Sequence, residues 1–200
     1  MKNIKKILIG THNKGKYKEI AYLLSKKIEK ISPQNLGIKS PKETGKSFIE
    51  NAVLKANYFY KNSNIISISD DSGLEVVCLK NRPGIYSARW AKKHGSFKNA
   101  MKKILYLVEK KNLGRTAFFV CSLAVKFPKK KVFFVEGKIK GKISTKIKGN
   151  KGFGYDPIFI PNNYKITFGQ MSKAKKIEID HRSIAFDKLK KKLKLCKFFI

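Results

Sequence analysis

Short apolar runs alternate with segments of helical period through the first half of the chain, and that order leaves few folds open. Residues 5–10 (KKILIG) read as a buried strand. Residues 16–30 carry Tyr17, Ile20, Leu24 and Ile28 at helical spacing. Ser47 opens a second helix, SFIENAVLKANYFY, with Glu50 three residues on as a capping box and Phe48, Ala52, Ala56 and Phe59 on one face. Residues 65–69 (IISIS) and 74–79 (LEVVCL) read as strands separated by a turn at Asp70-Asp71-Ser72-Gly73. Arg82-Pro83-Gly84 breaks the chain. Residues 99–111 form an amphipathic helix with Met101, Ile104, Leu105 and Val108 on its apolar side. The period then falls to two in 116–127 and 132–140, a hairpin around Pro128 and three lysines. A glycine-rich loop, 149–156, and a last helix over 183–195, with Ile184, Leu189 and Leu193 inward, complete the series. The interleaving predicts one α/β domain over residues 1–200 with a mixed sheet, the hairpin forming a second lobe across a cleft.

Charge sharpens the reading. The net charge is +33, which suggests nucleic acid as a partner. Yet only Arg82, Arg89, Arg115 and Arg182 among the 46 basic residues are arginine, the side chain suited to bidentate readout, and lysines sit on nearly every segment. Compositional drift explains that scatter better than a dedicated binding stripe, leaving weak, salt-sensitive, non-specific association with polyanions as the expectation. Cys78, Cys121 and Cys196 are isolated, which argues against a disulfide framework or a zinc site and fits a reducing cytoplasm. No apolar run approaches the length of a membrane span, and residues 7–9 are too short for a signal peptide core.

With only 13 acidic residues present, clustered carboxylates call for a reason. Asp70 and Asp71 at the end of an apolar strand need a neutralising partner. A magnesium ion, which takes one or two carboxylates plus substrate phosphates, would supply it, and one carboxylate could instead accept a proton from an attacking water. A solvated turn has the same composition. Thr11-His12-Asn13-Lys14-Gly15-Lys16 follows a strand and opens a helix, a context that presents amides and a positive dipole to phosphate, although it is no Walker loop and an ordinary turn would look alike. In Gly152-Phe153-Gly154-Tyr155-Asp156-Pro157, the glycines allow close backbone approach and the two rings offer a stacking face for a base. Asp156 could accept from a ribose or base. A connecting loop whose aromatics complete the core is the competing reading. Lys176 stands with Asp180-His181-Arg182, where His181 and Arg182 supply donors for a phosphate or an oxo group, while His94, within AKKHG, reads as surface.

Taken in order, T-H-N-x-x-K, S-F-I-E-N-A-x-x-K-A, D-D-S-G-L-E-V, P-G-I-Y-S-A-R, G-F-G-Y-D-P-I-F and K-x-x-x-x-H-R resemble the series of the inosine/xanthosine triphosphate pyrophosphatases over residues 7–189. The resemblance implies an elongated two-lobed α/β fold with a central substrate cleft, a homodimer, and hydrolysis of ITP, dITP or XTP to the monophosphate and pyrophosphate. It further implies that Thr11 to Lys16 bind phosphate and that Asp71 accepts the proton while holding Mg²⁺ with Glu43 and, in support, Asp70. Ser72, Phe153, Gly154, Tyr155, Asp156, Lys176, His181 and Arg182 match substrate-contacting positions. Asp180, where the family usually has serine, and Lys175, where many members have glutamate, depart from the pattern and bear on base selection. A nucleic-acid module explains the charge but not the ordered motifs, and a pyrophosphatase for pyrimidine or modified nucleotides would differ only at the base.

Overall fold

The computed structural model describes residues 2–195 and 198–199, with side-chain surroundings for residues 4–195; Cys196 lies outside the described residues. The elements are strands β1 (Lys2–Asn3), β2 (Lys6–Ile9), β3 (Glu29–Ile31), β4 (Ser67–Val76), β5 (Arg82–Pro83), β6 (Thr116–Lys126), β7 (Phe133–Ile143), β8 (Phe159–Pro161) and β9 (Phe198–Phe199). The helices are α1 (Lys14–Leu23), α2 (Phe48–Ser63), α3 (Ser87–Lys93), α4 (Phe97–Lys111), α5 (Lys173–Ile179) and α6 (His181–Leu195). The main sheet has the strand order β3-β2-β4-β6-β7-β8, with β5 paired to β4 and a separate β1-β9 pair. β2 runs parallel to both β3 and β4, whereas β7 pairs antiparallel with β8. The expected mixed α/β architecture is therefore the one observed.

The chain divides into two compact units. The first comprises residues 1–71, 121–137 and 182–200, and the second 72–120 and 138–181. In the first, Ile7, Ile9, Ile20, Ile68, Leu123, Val125, Phe186, Leu189 and Leu193 build the core. In the second, Leu74, Val76, Met101, Ile104, Phe119, Ile158, Phe159 and Phe168 do so. Ile184 is only half-buried, because the core-facing stripe of α6 runs through Ala185, Phe186, Leu189 and Leu193.

Two sequence expectations give way to tertiary pairing. The helical pattern over 16–30 is cut at Leu23, since residues 29–31 lie in register with Lys6, Ile7 and Leu8. Ile28 stays buried without being helical. The second correction matters more. Asp70-Asp71-Ser72-Gly73 is no turn; β4 runs unbroken through it, with both aspartates buried. Turn composition dictates a turn only where water solvates the polar groups, and here protein donors and cations take that place.

α2 begins as expected at Ser47, whose Oγ accepts from the Glu50 amide at 3.1 Å. The return half of the box is diverted, with Glu50 Oε2 accepting from the Lys46 amide at 2.8 Å. Gly10, between β2 and the first turn, sits against β4 and α2. A Cβ there would lie 2.2 Å from Ser69 Oγ and 2.4 Å from the Phe59 ring. Gly10→Ala is expected to destabilise by about 1–3 kcal/mol through overpacking, read as a fall of several degrees in the thermal unfolding midpoint. An unchanged midpoint would show that this approach is looser than described.

Candidate active site

The first group of site residues stands on or beside β2, α1, α2, residues 67–71 of β4 and the start of α6 from residue 182, all within the first unit. Asn13 caps α1, its side chain accepting from the Lys16 amide at 3.0 Å, and its own amide donates to Thr11 Oγ1 at 3.2 Å. Lys14, Gly15 and Lys16 thus form the first helical turn, where amides and the helix dipole favour an anion. His12 is turned elsewhere. Its Nε2 donates to the Ile38 carbonyl at 3.0 Å and its Nδ1 meets Ser40 Oγ, which fastens the 38–40 segment to the loop.

Asp70 and Asp71, adjacent on β4, have different partners. Asp70 directs Oδ2 to Lys16 Nζ at 3.2 Å and to Arg182 Nη2 at 3.3 Å. Arg182 also pairs with Glu19 of α1, and the guanidinium is 1% exposed. The sequence reading aimed Arg182 at a base edge; the structure places it in a buried ion-pair network with Glu19 and Asp70, because two carboxylates under the sheet require a cation of fixed geometry. Asp71 accepts from Asn51 Nδ2 at 3.0 Å through Oδ2, and its Oδ1 lies 3.8 Å from Lys55 Nζ. Lys55 Nζ donates to Glu43 Oε1 at 2.6 Å.

Burial pushes the Asp71 carboxyl above the usual carboxylate range, with Glu43 adding to the rise, while Lys55, Lys16 and the Asn51 amide pull back. For Lys55, burial alone would lower the ammonium, but Asp71, Asp70 and Glu43 outweigh it and hold the group above its ordinary value. A charged Lys55 between two carboxylates is the coherent state of this cluster.

The second group lies in the second unit. Gly152 and Gly154 take left-handed φ values of +73° and +66°, and a Cβ on Gly152 would meet Asp156 Oδ2 at 2.0 Å. That closeness lets Asp156 Oδ2 accept from the Phe153 amide at 2.9 Å and from Lys176 Nζ at 2.6 Å. Lys176 Nζ sits 4.9 Å from the centre of the Phe153 ring. His181 stacks on Phe119 at 4.8 Å and 11°. Tyr155 differs from expectation. Its ring belongs to the core, edge-on to Phe97, and its hydroxyl donates to the Ser87 carbonyl at 2.9 Å. Of the two rings read as a stacking face, Tyr155 therefore anchors the loop, and burial drives its phenol well above the ordinary range. Ser72, next after Asp71, is half-buried on β4. Two of the four unit boundaries fall between Asp71 and Ser72 and between His181 and Arg182.

Three side chains of this network, Glu19, Asn51 and Lys55, received no role in the sequence reading, although Asn51 and Lys55 stand in the motif S-F-I-E-N-A-x-x-K-A. For two of them a signal existed. The buried face of α2 is Phe48, Asn51, Ala52, Lys55, Ala56 and Phe59, so an amide and an ammonium interrupt an otherwise apolar stripe.

Residues 7–192 match the model of the Ham1 family. The chain belongs to the Ham1 family. It is 44% identical to a dITP/XTP pyrophosphatase of Caulobacter vibrioides over 92% of this chain and 96% of that one. A dITP/XTP pyrophosphatase of Oceanobacillus iheyensis is 43% identical over 94% and 98% of the two chains. Among solved structures, a HAM1 protein from Coxiella burnetii superposes with a TM-score of 0.86 at 30% identity, covering 96% of this chain and 99% of that one. The Ham1 protein of Staphylococcus aureus gives 0.84 at 35% identity, covering 95% and 98%.

This cluster of the chain rests on buried ion pairs, which makes its cations part of the fold. Arg182→Ala is expected to cost about 3–5 kcal/mol, because it removes the guanidinium that Glu19 and Asp70 share inside the fold. Denaturant unfolding measures this. A loss under about 1 kcal/mol would mean that the guanidinium is replaceable by water.

Proposed function

We propose that this chain hydrolyses deaminated purine nucleoside triphosphates, dITP, ITP and XTP, to the nucleoside monophosphate and pyrophosphate, and so keeps them out of DNA and RNA. The observation that carries the chemistry is the buried Asp71 of β4, with Oδ2 held by Asn51 and Oδ1 near Lys55 and Glu43. The relatives at 44% and 43% identity, matched over nearly their whole length, bear the name dITP/XTP pyrophosphatase.

In the proposed reaction the oxygen of a water molecule attacks the α-phosphorus, its proton passes to Asp71, and the bond to the bridging oxygen breaks as pyrophosphate leaves. Asp71's raised pKa suits it to accepting that proton. Lys16 and the first-turn amides of α1, with Thr11, Asn13, Lys14 and Gly15, bind the phosphates. Positioning and electrostatics supply most of the acceleration in such a displacement.

The donor set fits a hard divalent cation. Glu43 and Asp71 already converge on the one cationic group of Lys55, and Mg²⁺ asks for one or two protein carboxylates, taking its other oxygens from phosphates and water. We assign Mg²⁺ to Glu43 and Asp71, with Asp70 in support through Lys16 and Arg182. Bound there, the ion would neutralise charge developing on the phosphates.

For the base, the assignment follows the resemblance. Phe153, Gly154, Asp156 and Lys176 would receive the purine, with the Tyr155 ring supporting the loop from beneath, and Ser72 is a further contact. The donor His181 would favour an oxo group at C6, since adenine's amino group offers it no acceptor, while Arg182 would support the site through Glu19 and Asp70. We further infer a homodimer in the cytoplasm, from the family resemblance and the isolated cysteines. No helix among the described residues is long and apolar enough to cross a membrane. The lysine excess adds weak, salt-sensitive attraction to polyanions.

The test is pyrophosphate release from dITP, ITP, XTP, GTP and ATP with Mg²⁺ and again with EDTA. Metal-dependent release from the first three, with little from GTP or ATP, is expected. Equal rates on all five would remove the base assignment, and release that persists in EDTA would remove the metal. Asp71→Asn should lower kcat by about 10²–10⁴ while the circular dichroism spectrum stays native. Near-full turnover in that variant would show that another group takes the proton.

A further inference from the structure

Asn51 is fully buried on α2, and both ends of its amide are engaged. Nδ2 donates to Asp71 Oδ2 at 3.0 Å, and Oδ1 accepts from the Gly45 amide at 2.8 Å. The orientation is fixed by chemistry, since an amide N–H needs an acceptor and a carboxylate needs a donor. Position 45 is a glycine for the same reason. A Cβ there would lie 2.7 Å from Asn51 Oδ1 and 2.9 Å from the Asn51 nitrogen. The neighbouring Lys46 amide docks on Glu50 Oε2 at 2.8 Å, so successive amides fasten the segment that carries Glu43 to the start of α2. One helical turn beyond Asn51, Lys55 receives Glu43 from that segment at 2.6 Å and faces Asp71 Oδ1 at 3.8 Å.

The two oxygens of Asp71 are therefore not equivalent. Oδ2 is capped by an amide that cannot give up its proton, while Oδ1 faces the ammonium and Glu43. We propose that Asn51 is a positioning residue that locks the Asp71 carboxylate about its terminal torsion, with Oδ1 turned toward Lys55 and Glu43, and that the same amide keeps the Glu43 segment beside it. This inference rests on the assignment of Asp71 as proton acceptor. The terminal torsion of an aspartate is broad and two-fold, so without the cap the oxygens exchange and the carboxylate samples unproductive rotations.

The experiment compares Asn51→Leu, which keeps the volume and removes both hydrogen bonds, with Asn51→Asp, which can still accept from Gly45 but as a carboxylate cannot donate to Asp71. Steady-state pyrophosphate release from dITP gives kcat and KM, and thermal unfolding is followed on the same samples. A fall in kcat of about 10–100-fold in both variants, the usual range for loss of a supporting partner, with KM within about threefold of the parent, is expected. A folded variant of either kind with kcat within about twofold of the parent, or a loss confined to KM, would overturn the proposal. If neither variant folds, Asn51 belongs to the fold and the positioning role falls. Asp71→Asn, run in parallel, separates the two levels. An inactive Asp71→Asn beside normal Asn51 variants rejects only the positioning role, whereas an active Asp71→Asn rejects the assignment on which it rests.

Discussion

Two neighbouring carboxylates inside a sheet set the terms for the first unit. Asp70 and Asp71 follow Ile68 and Ser69 on β4, where water is excluded and an unpaired charge would cost several kcal/mol. Adjacent residues on a strand point to opposite faces, so each needs its own partners. Lys16 and Arg182 serve Asp70, while Asn51 and Lys55 serve Asp71. The starts of α1, α2 and α6 are thereby tied to the same strand.

The division also separates duties. Asp70 is held by two cations, and Arg182 brings Glu19 into the same network, a rigid arrangement that suits a support. Asp71 meets one amide and one more distant ammonium, and burial keeps its proton affinity high. Two aspartates identical in sequence thus differ in chemistry through their surroundings, Asp70 held by two cations and Asp71 by an amide and an ammonium. In the second unit, Asp156 plays the part of a rigid acceptor, tying Lys176 to the Phe153 amide.

Much of this was legible in the chain. Helix α2 starts at the serine that its capping residues pointed to, β6 and β7 lie where the two strands were expected although β6 is buried almost throughout rather than in alternation, and the ordered motifs indicated the family. What the sequence hid came from partners remote along the chain. The composition of Asp70-Asp71-Ser72-Gly73 suits a turn, and only cations from residues 16, 55 and 182 make a continuous strand tolerable there. The end of α1 at Leu23 depends on pairing between residues 29–31 and β2, which no local pattern reveals. Tyr155 reads as a ligand platform until its hydroxyl is seen on the Ser87 carbonyl, 68 residues away. Asn51 and Lys55 were visible in principle, as polar breaks in an apolar helical stripe.

The pairing of Arg182 with Glu19 spans 163 residues, and that with Asp70 spans 112. During synthesis the amino-terminal portion of the chain therefore emerges with two carboxylates destined for the interior, long before the guanidinium that will neutralise them. Closing so long a loop is entropically slow, and burying those charges early is unfavourable. The first unit must then mature last, after α6 has been made, although its opening strand and helix are the first to appear. A nascent chain halted before residue 182 carries Glu19 and Asp70 without the guanidinium they share in the finished fold.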